Sequence, residues 1–126
     1  MPYLPYSIEL HDSEIASVSL DNSTVTMNFS PAYVHSGGKG WVRSAQLKVY
    51  AATVDSGQTK YPAKVADGRM KTKLGSYHNL LMLPLDTDGD VELEIEFFSG
   101  NVLRTKGEGI DLVFTSEPVF VEDYEA

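Results

Sequence analysis

Hydrophobic and polar residues alternate along most of this chain. In the segment Val91–Phe97 the odd positions are valine, leucine, isoleucine and phenylalanine, and the even positions are glutamates. On an extended strand this order places the apolar side chains on one face and the carboxylates on the other. Strict alternation of this kind is typical of a half-buried antiparallel strand, and no segment has a comparably clear helical period.

Turn-forming residues interrupt the alternation at short intervals. Aspartate, asparagine, serine and glycine favour tight turns, and they fall between the apolar stretches. Strands are predicted near 6–10, 14–20, 23–30, 41–54, 69–74, 78–85, 91–98, 102–109, 110–115 and 118–122. This spacing predicts an all-β fold, an antiparallel β-sandwich or partly open barrel of about 8–10 strands, with residues 1–126 in a single domain.

The first hairpin has a predicted register. A two-residue loop at Asp21-Asn22 suits a type I′ turn, because both residues tolerate positive φ. Pairing across this loop places Val18 opposite Val25 and Ala16 opposite Met27. All four side chains then share one face, whereas a slip by one residue would mix the faces.

The second predicted hairpin joins the acidic strand to a basic one. A three-residue loop ending at Asn101 would pair Glu96 with Arg104 and Glu94 with Lys106. Opposite charges across two strands stabilise the pair by about 0.2–1 kcal/mol each. The glutamates are therefore predicted to form a solvated, partly neutralised face rather than a metal site.

Three further segments carry expectations about local structure. The stretch 41–54 is predicted to be one long strand, and 78–85 a central strand buried on both faces. The segment Asp86–Asp90 alternates carboxylates, but its glycine comes too early for a calcium-binding loop, so a turn is predicted.

Composition narrows the classes of function. The chain has 126 residues, no cysteine and a net charge of −8. The lack of cysteine excludes disulfides and thiolate metal sites, and the acidity disfavours nucleic acid and anionic membranes while favouring a basic protein partner. No secretory signal and no membrane-spanning apolar run is recognised, which predicts a cytoplasmic protein.

A small group of residues is the candidate ligand-binding or interface site. His11-Asp12 resembles general-base machinery, but neighbours on a strand point to opposite faces, which favours a bend. The glycine-rich segment between His35 and Trp41, preceded by Tyr33, does not open a helix as a phosphate-binding loop does. It is predicted to be either a mobile recognition loop with aromatic anchors, or a flexible hairpin connection with Trp41 packed into the core. No catalytic residue, metal ligand or cofactor is assigned, because the 3 histidines lie in no recognised motif.

A second candidate surface is acidic. Valines at alternating positions after Pro118 predict an edge strand, followed by an acidic tail that either binds a basic surface or keeps the strand edge from aggregating. The residues expected to meet a basic partner are Asp88, Asp90, Glu92, Glu122 and Asp123.

Several segments together resemble a group of small uncharacterised bacterial proteins: Ile8–Ser13, Phe29–His35, Gly40–Val42, Ala66–Gly68, Pro84 and Glu117–Glu122. The opening Leu10-His11-Asp12 is also similar to a pattern in some bacterial immunity proteins, which neutralise toxins. This resemblance implies a non-enzymatic, protein-binding function.

Three functional hypotheses follow. The first is a protein-binding module, specifically an immunity-type inhibitor that occludes a basic bacterial toxin. The second is a small-ligand-binding protein or an enzyme with a pocket near His11, His35 and Trp41. The third is a homo-oligomer built through exposed sheet edges.

Overall fold

The computed structural model describes residues 6–36, 39–55, 59–73, 75–83 and 86–123 of the chain. These residues form a 3-10 turn, Leu10–Asp12, and strands that we number in chain order. They are β1 (Tyr6–Glu9), β2 (Glu14–Asp21), β3 (Thr24–Ser36), β4 (Lys39–Val49), β5 (Thr53–Asp55), β6 (Ala63–Thr72), β7 (Gly75–His78), β8 (Leu80–Leu83), β9 (Asp86–Phe97), β10 (Val102–Phe114) and β11 (Val119–Asp123). Within the described ranges, no helix has the length and apolar character needed to cross a membrane.

Six strands follow one another around a ring: β3, β4, β10, β9, β6 and β2. Every strand pairing in the sheet is antiparallel. The β2–β6 junction consists of two residue pairs, Glu14 with Lys64 and Ile15 with Ala63, so the ring is partly open there. The all-β, antiparallel prediction is confirmed, and the described part of the chain has 11 strands instead of about 8–10.

The core lies inside the ring and is built from the apolar side chains that alternate along the strands. The largest fully buried side chains are Phe29, Phe97, Ile8, Leu10, Ile15, Met27, Leu47, Leu81, Ile95, Leu103, Ile110 and Val25. Polar residues at the intervening positions face outward, as period-two patterning requires. The charged residues of β6, β9 and β10 therefore share the outer surface.

The first hairpin turns one residue later than predicted. Asn22 and Ser23 form the turn, with φ of 48° and 63°, as a type I′ turn requires. The predicted pairing of Val18 with Val25 is wrong, because Val18 lies opposite Met27. A bulge in β2 also takes Ala16 out of the alternation, and this side chain is only half-buried. The turn type was predicted correctly, and its position was not.

The second hairpin differs from its prediction in the same way. Gly100, with φ of 92°, takes the positive-φ position that was predicted for the residue after it. Each basic residue then pairs with the glutamate two positions earlier than predicted: Arg104 lies opposite Glu94, and Lys106 lies opposite Glu92. Opposite charges still face each other across the strands.

Three local predictions are wrong. The expected strand 41–54 is broken after β4, because Ala51 has φ of 48° and turns the chain before β5. The segment expected to be a central strand is split between β7 and β8, and β8 is an edge strand on which Leu80 is 39% exposed. The turn expected over Asp86–Asp90 is instead the start of β9, where these residues extend the ladder with β10.

Candidate functional site

The Leu10–Asp12 turn is held in place by the serine that follows it. The Ser13 hydroxyl donates a hydrogen bond to the Glu9 carbonyl at 2.7 Å and accepts one from the Tyr33 N–H at 3.0 Å. Ser13 is 3% exposed, so these bonds are formed away from solvent. The turn is thereby fixed between β1 and β3, and this explains in structural terms why a serine closes the segment.

The same turn is attached to β6 through Asn79. The Leu10 N–H donates to the Asn79 carbonyl at 2.8 Å, and the Gly68 N–H donates to the Asn79 side-chain oxygen at 2.8 Å. Leu10 packs so closely on Gly68 that a Cβ there would lie 2.6 Å from the Leu10 Cδ1. His11 is consequently carried on a rigid turn.

A glutamate joins the two histidines of the predicted site. The His35 Nε2 lies 2.5 Å from the Glu9 Oε1, and the His11 Nε2 lies 3.8 Å from the Glu9 Oε2. The Tyr33 ring packs against the His35 ring, with 5.3 Å between centroids. We refer to Glu9, His11, Tyr33 and His35 as the histidine cluster. Both histidines therefore lie within ion-pair distance of one carboxylate.

The other two candidate residues stand apart from the histidine cluster. Trp41 lies opposite Val34, which places it on the other face of the sheet from Tyr33 and His35. It packs edge-on against Phe120, with 5.3 Å between ring centroids. The backbone of Asp12 ends the 3-10 turn, but its side chain lies outside the described part of the chain.

Tyr33 and His35 belong to strand β3, which ends at Ser36, and Trp41 belongs to β4, which begins at Lys39. Residues 37–38 of the predicted recognition loop lie outside the described part of the chain. Glu9 was missed by the sequence analysis, because only the register of β1 with β3 brings it beside Tyr33. Among the described residues, no group of three or more histidine, aspartate or glutamate side chains is arranged to hold a metal ion.

The acidic face of β9 is largely balanced by its neighbours. Two cross-strand rows run from β6 through β9 to β10: Arg69–Glu94–Arg104 and Lys71–Glu92–Lys106. The Arg104 Nε lies 2.9 Å from the Glu94 Oε2, and the Lys106 Nζ lies 3.4 Å from the Glu92 Oε1. Glu92, a candidate for contact with a partner, is therefore already engaged within the protein.

The other acidic candidates differ in their surroundings. The Lys73 Nζ lies 2.6 Å from the Asp88 Oδ1, and this hydrogen bond lowers the pKa of Asp88 below its usual value. Asp90 is exposed on β9. Glu122 and Asp123 belong to the backbone of β11, and their side chains lie outside the described part of the chain. Of the three candidates whose side chains are described, Asp88 and Glu92 are paired internally.

A groove with a volume of about 560 Å³ crosses the outer surface of β6, β7, β9 and β10. Its lining includes 4 of the chain's 10 lysines and arginines and 2 of its 18 aspartates and glutamates. The basic residues are Arg69, Lys71, Arg104 and Lys106. Basic residues therefore outnumber acidic ones in the groove, whereas acidic residues are in excess over the whole chain.

Strand β11 forms one end of the sheet and pairs with β4 alone among the described strands. Three successive large side chains on it are exposed: Val119 at 61%, Phe120 at 50% and Val121 at 46%. Because neighbours on a strand point to opposite faces, both faces of this edge are apolar. The edge strand predicted after Pro118 is thus present, and it is more hydrophobic than an edge in contact with water usually is.

The geometry thus offers three surfaces, namely the histidine cluster, the charged groove and the β11 edge. Comparison of the chain with family models, curated proteins and solved structures finds no significant match.

Proposed function

We propose that this chain is a non-enzymatic protein-binding module that takes a strand of its partner onto the free edge of β11. The observation that carries the proposal is the run of exposed Val119, Phe120 and Val121 on the terminal strand of the sheet. An unpaired edge offers backbone N–H and C=O groups to an extended segment, and its side chains supply apolar contacts.

The partner segment is basic. Two acidic residues, Glu122 and Asp123, complete the β11 sequence, and Glu125 follows them. Opposite charges around an apolar contact speed association and select among partners. A second copy of this chain is a poor occupant of the edge, because self-pairing would bring two acidic segments and two chains of net charge −8 together.

In its most specific form, the partner is a basic bacterial toxin domain, and the protein inhibits it in the cytoplasm by occluding its surface. The acidity of the chain and the resemblance of Leu10-His11-Asp12 to immunity proteins support this form. The apolar edge supports only the wider statement that a protein strand is bound.

The histidine cluster favours a second candidate function, namely small-ligand binding beside Glu9. Convergence of His11 and His35 on one carboxylate is the arrangement that supports it. The two candidates use different surfaces, since the β11 edge is separated from β1 by β4 and β3 in the sheet. A substitution on one surface can therefore show which of the two candidate functions depends on that surface.

The proposal is tested with a short peptide of alternating lysine and valine, titrated into isotope-labelled protein and followed by the amide spectrum. We expect saturable shifts confined to β11 and the facing part of β4, weakening as salt is added. A matched peptide of alternating glutamate and valine is the control and should bind more weakly. Equal binding of the two peptides, or shifts elsewhere on the protein, would contradict the proposal.

A further inference from the structure

We propose that the groove over β6, β7, β9 and β10 binds the anionic group, phosphate or carboxylate, of a small molecule. This inference is independent of the β11 edge. It rests on the excess of basic side chains in the groove and on which of them are already paired within the protein.

The basic residues on the two sides of the groove differ in how closely they pair with carboxylates of the protein. On the β10 side, Arg104 and Lys106 pair with the glutamates of β9 at 2.9 Å and 3.4 Å. On the β6 side, Arg69 has only a contact of 4.0 Å with Asp67. Lys71 forms no ion pair with any residue in the described ranges. The β6 side therefore has the positive charge that remains for a ligand.

The donors on this side are placed close together. Arg69 and Lys71 lie two positions apart on one face of β6, a separation of about 7 Å. Ser76 of β7 lies directly opposite Lys71 in the ladder, and it also lines the groove. A guanidinium, an ammonium and a hydroxyl together match the acceptor oxygens of a phosphate or carboxylate.

The groove also has a volume and a rigid floor that suit the binding of a small molecule. Its volume of about 560 Å³ is within the range of small-molecule sites. Met70 and Leu93 line it from below and are each 2% exposed, because they belong to the packed core. A close-packed floor keeps the donors of β6 and β7 at fixed separations.

The inference is tested by titrating inorganic phosphate and, separately, acetate into labelled protein, with sodium chloride holding the ionic strength constant. We expect saturable shifts of the Lys71 and Ser76 amides. The anion that binds more tightly identifies whether the natural ligand carries phosphate or carboxylate. Shifts that grow linearly without saturation, or that chloride reproduces, would overturn the inference.

Substitution then localises the site. Arg69→Gln should weaken binding of the tighter anion about tenfold, since it removes a charge-assisted hydrogen bond. Lys64→Gln removes an exposed positive charge from the same strand outside the groove, and it should leave the affinity within about twofold. Equal losses in the two variants would show only a general effect of net charge and would refute the site. Arg69 is 68% exposed at its side chain, so its replacement should leave the fold intact.

Discussion

The His78 Nε2 lies 2.7 Å from the Asp67 Oδ1, and this contact joins β7 to β6 at the end of the groove. Burial acts to raise the pKa of Asp67. Hydrogen bonds from His78 and Asn79, with the positive charges of His78 and Arg69, outweigh it and hold the pKa below its ordinary value. The ionised carboxylate is therefore favoured by the folded state.

This depressed pKa predicts how stability depends on pH. A carboxyl with a lower pKa in the folded state stabilises the protein above its unfolded-state pKa, and that contribution is lost as pH falls through the folded value. Asp67→Asn should therefore lower the free energy of unfolding at pH 7, and the difference from the parent should shrink below about pH 4. Urea unfolding across this range measures it, with Asp90→Asn as an exposed control. A difference that stays constant into acid would contradict the assignment.

The buried hydroxyl of Ser13 should matter for stability. Ser13→Ala leaves the Glu9 carbonyl and the Tyr33 N–H without the partner that now joins them. An unsatisfied buried polar group costs about 1–3 kcal/mol, so the free energy of unfolding should fall by that amount. Ser19→Ala, an exposed position on β2, should change it by less than about 0.5 kcal/mol. Denaturant unfolding compares the two, and similar values would show that the turn is not anchored through this serine.

A positive charge placed on the β11 edge should weaken peptide binding. Val119→Lys introduces a positive charge where a basic partner must dock, and charged side chains on an edge oppose strand addition. The affinity for the lysine–valine peptide should fall at least tenfold. Leu20→Lys makes the same change at another exposed apolar position, 53% exposed at the end of β2, and should have no effect. A loss of affinity in the Leu20 variant as well would indicate binding through general hydrophobicity.

Replacement of Glu9 separates the two candidate functions. Glu9→Gln removes the charge that lies between His11 and His35, so the ring resonances of both should move while those of His78 remain. The affinity of the lysine–valine peptide should stay within about twofold, because β11 lies on the far side of β4. Two-dimensional spectra of the imidazole groups and a repeated peptide titration give both results. A large loss of peptide binding would assign the partner to the histidine cluster instead.

The sequence pattern determines which face a side chain occupies better than which residue it opposes. In both hairpins the pairing is displaced by two residues, Val18 to Met27 in one and Arg104 to Glu94 in the other. A displacement by two keeps every side chain on its predicted face, whereas a displacement by one would expose the core. Alternation therefore argues against a register displaced by one residue, but it cannot distinguish registers that differ by two residues. Bulges, such as the one at Ala16, carry no comparable signal.

The histidine cluster was only partly predictable for a related reason. His11, Tyr33 and His35 were chosen by residue type, and their meeting point depends on the pairing of β1 with β3. Glu9 looks like any outward-facing polar residue until that register is known. Trp41 lies on the other face because it is opposite Val34, which no local pattern indicates.

The short β2–β6 junction determines where the barrel is expected to open. In the described ranges two ladder pairs join β2 to β6, whereas the β9–β10 ladder runs through nine. Parting of this junction would also break the hydrogen bond from the Val65 N–H to the Ser13 carbonyl and the contacts of the Leu10–Asp12 turn with β6. It would convert the barrel into an open, curved sheet without breaking any long ladder, so the least costly opening of the core is expected here. The amides of Ile15 and Ala63 should then exchange with solvent well before those of Leu93 and Leu103, and Ile15 is the core residue that water reaches first.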